Sequence, residues 1–306
     1  MTRRLRRSEL ATPGSSQKMI ARAAASTADL VFLDLEDAVA PAEKAAARGN
    51  VIAALNELDW QGKTRAVRIN SADTSWSHED IIEVVEGAGQ KLDIIIVPKV
   101  KAPRDVWFVA TLLDQLESKL GLVESTGRRI GLELLVEEVE AVARIDEIAA
   151  CSDRIEALIL GVGDLAASQG IRVAHVLDPA IGYPGDLWHY ARCRMVIAAR
   201  SNGLDAIDGP YPDFKDGDGY REEATRASTL GCVGKWAIHP DQIALANEVF
   251  SPTDREIAMA RKMSRVYHDG VSGGQGSSAA GGVMVDAATA RLFDAILERA
   301  ELCGRL

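Results

Sequence analysis

The chain is poor in cysteine, histidine and aromatic rings, and each scarcity removes a class of protein. Its four cysteines, Cys151, Cys193, Cys232 and Cys303, lie far apart and form no Cys-x-x-Cys pair, so free thiols in a reducing cytoplasm are expected. The five histidines (His78, His175, His189, His239, His268) show no His-Glu-x-x-His spacing, which excludes a zinc protease of that type. There is no Gly-x-Ser-x-Gly elbow and no Walker A loop. No window approaches the ~18–20 uninterrupted apolar residues of a membrane span. The basic start, Met1 to Arg7, is followed by Ser8-Glu9-Leu10 rather than an apolar stretch, so no secretory signal is expected and the location is read as cytoplasmic, without a membrane partner. Basic residues are also outnumbered, 35 against 45 acidic, for a net charge of −10. That balance argues against a nucleic-acid partner, which needs a basic face to displace counterions. A small anionic substrate stays open, because one arginine cluster or a metal reverses the local field.

What is present is a repeated pattern: a short β-branched or apolar run, then a longer stretch of helical period. Eight candidate strands stand out: Glu9 to Thr12, Leu30 to Leu35, Ala66 to Asn70, Asp93 to Val97, Ile130 to Val136, Ala157 to Leu160, Leu204 to Ile207 and Lys235 to Ile238. The run Asp93-Ile94-Ile95-Ile96-Val97-Pro98 reads as a strand buried on both faces and stopped by proline. Helical stretches cover Pro41 to Leu58, Pro103 to Leu122 and Leu187 to Asn202, the last closed by Asn202-Gly203. Eight strands alternating with helices predict an α/β fold, a (β/α)8 TIM barrel. The alternative, a doubly wound open sheet, would be favoured by a Gly-rich fingerprint, and Gly161-Val162-Gly163 lacks its third glycine. The barrel is expected over residues 1–250. Residues 251–306 form a C-terminal helical extension, in which Asp269 to Gly282, rich in Gly and Ser, reads as a mobile linker before a final helix from Ala287 to Cys303.

In such a barrel the active site is built from strand C-termini and the loops that follow. There the sequence offers Asp34-Leu35-Glu36-Asp37, Arg68, Lys99, Glu137 with Glu138, Asp164, Asp208 and His239. Glu137 and Asp164, on neighbouring strand ends, suit a hard divalent cation, since Mg2+ takes one or two carboxylates and completes its octahedron with water and substrate. Glu36 and Asp37 either hold metal-bound waters as outer partners or supply charge to the helix that begins near Pro41. Arg68, ending an apolar strand, is either a structural ion-pair partner or an anion binder. His239 before Pro240 reads as a turn residue and Trp236 as core.

The segments Leu33-Asp34-Leu35-Glu36-Asp37-Ala38-Val39, Val67-Arg68-Ile69-Asn70, Val97-Pro98-Lys99-Val100, Gly163-Asp164-Leu165, Asp208-Gly209-Pro210 and Gly234-Lys235-Trp236-Ala237-Ile238-His239-Pro240 together resemble the citrate lyase β-subunit/HpcH-HpaI aldolase superfamily. Arg7-Ser8-Glu9-Leu10, Pro13-Gly14-Ser15, Leu187-Trp188-His189 and Ala246-Asn247-Glu248-Val249-Phe250 draw the chain toward its malyl-CoA lyase branch. The resemblance implies Mg2+-dependent (Mn2+ as substitute), reversible Claisen-type cleavage of a 3-hydroxydicarboxyl-CoA thioester, for malyl-CoA to acetyl-CoA and glyoxylate, or to propionyl-CoA for a methylated substrate. It implies Glu137 and Asp164 as metal ligands, Arg68 on the reacting oxygens, and Arg7, Gly14, Ser15, Arg22 and Lys99 along the CoA ester. Asp286 is implied as the acid/base delivered over a neighbouring subunit's site, which expects a homo-oligomer, a trimer or hexamer. Alternatives are a citramalyl-CoA lyase, a malyl-CoA thioesterase, an aldolase on free 4-hydroxy-2-oxo acids, and a citrate lyase β-type subunit of a larger complex. Two departures are visible. Glu138-Val139-Glu140-Ala141 follows Glu137 where the family has a small hydroxyl residue and a glycine, placing an extra charge beside the metal position. Ala280-Gly281-Gly282-Val283 lacks the Asp-Gly turn common before the acid/base.

Overall fold

A computed structural model describes residues 4–172, 185–274, 277–280 and 283–306. Eight parallel strands close into a barrel in sequence order: β1 (Ser8–Pro13), β2 (Leu30–Asp34), β3 (Thr64–Arg68), β4 (Ile94–Val97), β5 (Gly131–Val136), β6 (Ile155–Leu160), β7 (Asp205–Asp208) and β8 (Gly234–Ala237). Closure is made by β1 on β8, with Leu10 opposite Ala237. All eight expected strands are present, with ends shifted by a few residues. They were legible because a parallel strand sandwiched between barrel interior and helices is apolar on both faces.

Helices α1 (Gln17–Ala24), α2 (Lys44–Glu57), α3 (Ser77–Ala88), α4 (Pro103–Leu120), α5 (Leu122–Thr126), α6 (Val139–Ala143), α7 (Ile145–Ala149), α8 (Val162–Ser168), α9 (His189–Ser201), α10 (Gly217–Leu230) and α11 (Asp241–Val249) follow the strands. The stretch expected as one helix from Pro41 starts with a 3-10 turn, Pro41–Glu43, whose cap is Ala40. Gly121, at φ +60, ends α4 in the left-handed conformation that a side chain resists, and splits the stretch that ran to Leu122. Inside the barrel, alternate residues Leu30 and Phe32, Ile94 and Ile96, Ala157 and Ile159 pack with Leu135, Ile207 and Trp236, the period of two that a strand imposes.

The outer side of β7 and β8 carries a buried ion cluster. Asp208 accepts from Lys235 Nζ at 2.7 Å and from Arg192 Nε at 2.9 Å. Lys235 Nζ also donates to Glu223 at 2.5 Å and to the Gly209 carbonyl at 2.8 Å, and Arg192 pairs with Asp186. Burial pushes the Asp208 carboxyl up, but Lys235 and Arg192 hold it below the usual carboxylate range. Asp208, a strand-end candidate by sequence, is therefore structural. Lys235→Ala strands a fully buried carboxylate with only one cation, so a loss of about 3–5 kcal/mol in denaturant unfolding is expected; a change within experimental error would show the cluster to be redundant.

The chain divides into two compact units, Met1–Asn247 and Glu248–Leu306. In the second, α12 (Asp254–Ser272) starts with a capping box: Thr253 Oγ1 accepts from Glu256 N at 3.2 Å and Thr253 N donates to Glu256 at 2.7 Å. It packs on α13 (Ala287–Leu302), and Ser264 Oγ donates to Asp294 at 2.7 Å. Strands β9 (Ser277–Ala280) and β10 (Val283–Asp286) pair as an antiparallel ladder. Within the expected linker over Asp269 to Gly282, two stretches have regular structure. Its first residues continue α12 to Ser272 and its later ones form a strand, because pairing with the β-branched Val283-Met284-Val285 run and packing of α12 outweigh the weak local propensity of Gly and Ser. Gly276, Gly281 and Gly282 lie outside the described residues. Among the described residues, no helix is long and apolar enough to cross a membrane.

Candidate active site

The site grows from the β2 and β3 ends, where register sets Asp34 opposite Arg68. Asp34 accepts from Arg68 Nε at 2.7 Å and Nη2 at 2.6 Å, a bidentate fork. The same carboxylate accepts from the backbone of Glu36 at 2.9 Å and Ala38 at 3.0 Å, folding the loop after β2 back over the barrel mouth. Lys44 Nζ holds that loop from behind through the Leu35 and Glu36 carbonyls, at 2.9 and 3.0 Å. Asn70 adds a donor to the Leu35 carbonyl at 2.9 Å and is itself fixed by Asp80 at 2.6 Å.

So held, the Glu36 carboxylate bridges two cations, Arg68 Nη1 at 2.9 Å and Lys99 Nζ at 2.7 Å. Lys99 Nζ lies 3.1 Å from Asp37 and 3.8 Å from Asp164. Lys99 stands just beyond β4, after Pro98, at φ +50, an unusual backbone conformation for a residue with a side chain. That turn aims its N–H at Glu137 Oε1, 2.8 Å away. Burial opposes protonation of Lys99, but Glu36, Asp37 and Asp164 raise its pKa above that of a free lysine. Its ammonium is therefore part of the carboxylate cluster. The helix-charge reading of Glu36 and Asp37 falls away, since the turn at Pro41 is capped by Ala40.

Glu137, after β5, is buried, and its carboxyl is pushed up to about 8 by desolvation and by the neighbouring Glu36 and Asp164. Its Oε2 takes no hydrogen bond from the described residues. Gly161, after β6, makes the room: a Cβ there would lie 2.5 Å from Glu137 Oε2 and 2.6 Å from its Cβ. Asp164, in the first turn of α8, is half-exposed at the rim. Five carboxylates (Asp34, Glu36, Asp37, Glu137, Asp164) thus face Arg68 and Lys99, an excess of three negative charges when all are ionised. Among the described residues no group of three or more His, Cys, Asp or Glu forms a ready-made metal cage. A buried, undonated carboxylate oxygen paired with a rim carboxylate fits a cation that keeps most of its shell for water and substrate.

The floor is aromatic. Arg68 stands over the rings of Trp236 and Phe32, at 5.6 and 6.0 Å from their centroids, and the two rings lie 4.4 Å apart. Trp236 Nε1 donates to Glu9 at 2.9 Å. Glu9 is wholly buried, and its carboxyl is pushed well up by burial and by Glu133. Trp236 is core, as its sequence position suggested, and it also supports the site arginine.

Gly14 and Ser15 follow β1 at this same end. Gly14 N donates to the Asp34 carbonyl at 2.8 Å, and a Cβ on Gly14 would come within 2.8 Å of that oxygen. Ser15 is exposed, and so is Arg22, in the last turn of α1 and about 10 Å further along the chain by helix rise. Arg7 requires a correction. It precedes β1, so it lies at the opposite, N-terminal end of the barrel, where its guanidinium forks onto Asp29 at 2.8 Å on each arm. Direction decides this: in a parallel barrel, residues before and after one strand sit at opposite ends. Asp286 belongs to the second unit. It caps α13, accepting from Thr289 N and Oγ1 at 2.8 Å each, and these donors hold its carboxyl below the usual range. The charge of Glu138 is also accounted for: Ser168 Oγ donates to it at 2.8 Å, tying it to α8. His239 stacks on Phe214 at 4.9 Å and accepts from Asp241 N at 3.3 Å, the turn role expected of it.

Sequence reasoning missed Asp34 as the partner of Arg68, Glu9 as the anchor of Trp236, and Gly161 as the space for Glu137. Of these only Asp34 carried a signal, its place at a strand end.

Residues 7–240 match the HpcH/HpaI aldolase/citrate lyase family. The chain is 40% identical to an L-malyl-CoA/beta-methylmalyl-CoA lyase of Cereibacter sphaeroides over 305 residues, covering 97% of this chain and 95% of the relative. It is 33% identical to a malyl-CoA/beta-methylmalyl-CoA/citramalyl-CoA lyase of Chloroflexus aurantiacus, over 90% of this chain and 82% of that one. The CitE protein of Mycobacterium tuberculosis, solved in complex with magnesium, acetoacetate and coenzyme A, superposes with a TM-score of 0.75 at 30% identity, covering 96% of this chain and 97% of its own. With a closed parallel barrel, a carboxylate-rich mouth and relatives matched over nearly its full length, the chain belongs to the HpcH/HpaI aldolase/citrate lyase family.

Proposed function

We propose that this protein is a magnesium-dependent carbon–carbon lyase that cleaves malyl-CoA, or a close 3-hydroxydicarboxyl-CoA thioester, to acetyl-CoA (or propionyl-CoA) and glyoxylate, and runs the reverse condensation. The observation that carries the reading is the under-neutralised carboxylate cluster at the ends of β2 to β6, beside an arginine fixed on an aromatic floor. The names of the relatives support the substrate class, and the magnesium and coenzyme A bound to the CitE protein support the cofactor and ligand.

In this reading Glu137 and Asp164 hold Mg2+, with Glu36 and Asp37 as outer partners. The bound ion supplies Lewis acidity at the hydroxyl and carboxylate oxygens of the malyl group. Cleavage passes the hydroxyl proton to water, turns the O–H electron pair into the glyoxylate carbonyl, breaks the carbon–carbon bond and leaves its electron pair as the enolate of acetyl-CoA. Arg68 faces that developing charge. A guanidinium has five N–H donors; Asp34 accepts from two of them, and Nη1 lies 2.9 Å from Glu36 as an ion pair. The remaining donors are free for an enolate oxygen, preorganised by the bidentate clamp. Asp286 delivers the proton that completes the methyl group, and removes it in the condensation direction. The Gly14 peptide, Ser15 and Arg22 lie along the CoA phosphates and pantetheine, and Lys99 orders the acidic loop. A cytoplasmic homo-oligomer, trimer or hexamer, with Asp286 serving a neighbouring subunit, completes the proposal.

The test is a product assay with purified protein, Mg2+ and malyl-, methylmalyl- and citramalyl-CoA. Glyoxylate formed together with acetyl- or propionyl-CoA is the expected outcome. Pyruvate formed from citramalyl-CoA alone would move the substrate to that ester. Free CoA without glyoxylate would replace the lyase by a thioesterase. Activity confined to free 4-hydroxy-2-oxo acids, or none outside a larger complex, would overturn the proposal.

A further inference from the structure

At the barrel end opposite the carboxylate site, one cavity has more cationic than anionic side chains in its lining. This cavity of about 350 Å3 opens at the start of β3 and just before β4, lined by Arg4, Lys63, Arg65 and Lys91 with Asp59 and Asp93. Asp93 is asked to neutralise three guanidiniums: Arg65 Nε at 2.9 Å, Arg128 Nη2 at 3.2 Å and Arg4 Nη1 at 3.6 Å. The other partner of Arg4, Glu156, at 3.0 Å, is already shared with Arg6 at 2.5 Å. Lys63 Nζ donates only to the neutral amide of Gln61, at 3.2 Å, and Lys91 has no salt bridge among the described residues.

The crowding is visible in Arg128. Burial lowers its pKa, and Arg4 and Arg65 push it the same way against the pull of Asp93 and Glu156. Lys63 is likewise lowered by burial, against the pull of Asp59. The rim is a tight turn in which Lys63 N donates to the Trp60 carbonyl at 2.9 Å. Within it Gln61 takes φ +51 ahead of Gly62 at φ +78, a strained position for a residue with a side chain. A surplus of cations in a cleft, with Arg4, Lys63 and Arg65 half-buried and Lys91 exposed at the mouth, is costly unless an anion completes it. It is all the more pointed in a chain of net charge −10.

We infer that this cavity is a binding site for a compact, multiply charged oxyanion, distinct from the substrate site at the other end of the barrel. Guanidinium forks match the oxygen pairs of phosphoryl and carboxylate groups equally well. Lys63 and Lys91 supply the point charges at the entrance. The inference is independent of the proposed lyase chemistry, since none of these residues takes part in it.

Isothermal titration of the full chain with inorganic pyrophosphate, and separately with citrate, decides the matter. Both are run without divalent cation and at fixed ionic strength, so that chelation and screening do not contribute. Saturable binding of at least one of them, weakened about tenfold or more in K63Q/K91Q and unchanged in R22Q, is the expected result. The arm that binds more tightly identifies phosphoryl or carboxylate chemistry. No saturable heat from either anion overturns the inference. So does binding that K63Q/K91Q leaves intact, or binding lost in R22Q, which would place the anion along the proposed CoA path. Turnover of K63Q/K91Q on malyl-CoA should equal that of the unmodified protein.

Discussion

Replacing Asp286 by alanine should lower turnover of malyl-CoA by about 10²–10⁴-fold, the usual contribution of a positioned acid/base, with little change in binding of the CoA ester. The alanine variant alone is ambiguous, because Asp286 also caps α13 through Thr289. Losing an N-cap costs about 1 kcal/mol, enough to disturb the segment that carries the residue. Asparagine separates the two roles: it caps a helix as well as aspartate does but cannot carry the proton. Asp286→Asn should therefore keep the unfolding midpoint and still lose turnover. An active Asp286→Asn enzyme would end the acid/base assignment. The depressed pKa of Asp286 has a further meaning. At neutral pH it is a carboxylate, ready as a base toward the methyl group in condensation. In cleavage it must first acquire a proton.

Removal of divalent cation should abolish turnover, and Mg2+ or Mn2+ should restore it. Glu137→Gln should weaken the apparent metal affinity by more than about tenfold, since the substitution removes the buried negative ligand while keeping its size. The pH dependence follows from the sign of the shift. Glu137 is raised to about 8 by burial and its acidic neighbours, so below that pH a proton competes with the metal. The apparent Mg2+ affinity should rise about tenfold per pH unit between roughly pH 6 and 8, then level off. A thermal-shift titration with Mg2+ at several pH values reads this directly. Full activity after exhaustive chelation would remove the metal from the mechanism, whichever residues line the mouth.

The two predictions draw on different parts of the molecule. The metal prediction rests on side chains that the structure brings together. The Asp286 prediction rests on family resemblance plus a local capping geometry. Failure of the second alone would leave the site and its cation in place and reassign only the proton donor.

Much of this was legible in the order of residues. Burial on both faces makes each parallel strand a short apolar run, so eight such runs separated by helical periods specify the barrel and its direction. Direction then marks Glu36, Asp37, Arg68, Lys99, Glu137 and Asp164 as strand-end residues before any contact is known. Elsewhere tertiary contact decides what the order of residues leaves open. Arg7 sat in a segment resembling a binding motif, yet chain direction puts it with Asp29 at the far end. The Gly/Ser-rich stretch had the propensity of a tether, yet helix packing and strand pairing order its described residues. Glu138, next in sequence to Glu137, has its carboxylate tied to α8 by Ser168.

What adjacent residues decide by themselves is periodicity, and with it the barrel, the end that carries the site and the kinds of side chain gathered there. Which of those side chains hold one another was decided only by how the strands pair in the barrel. The pairing of β2 with β3 brings Arg68 onto Asp34, thirty-four positions away, and the closing pair of β1 and β8 brings Trp236 onto Glu9 from the opposite end of the barrel sequence. Strand pairing also sets Gly161 where any Cβ would displace Glu137. The reason is physical: charges buried without partners are too costly to keep, and in this fold the partners are supplied from neighbouring strands and loops rather than from neighbouring residues.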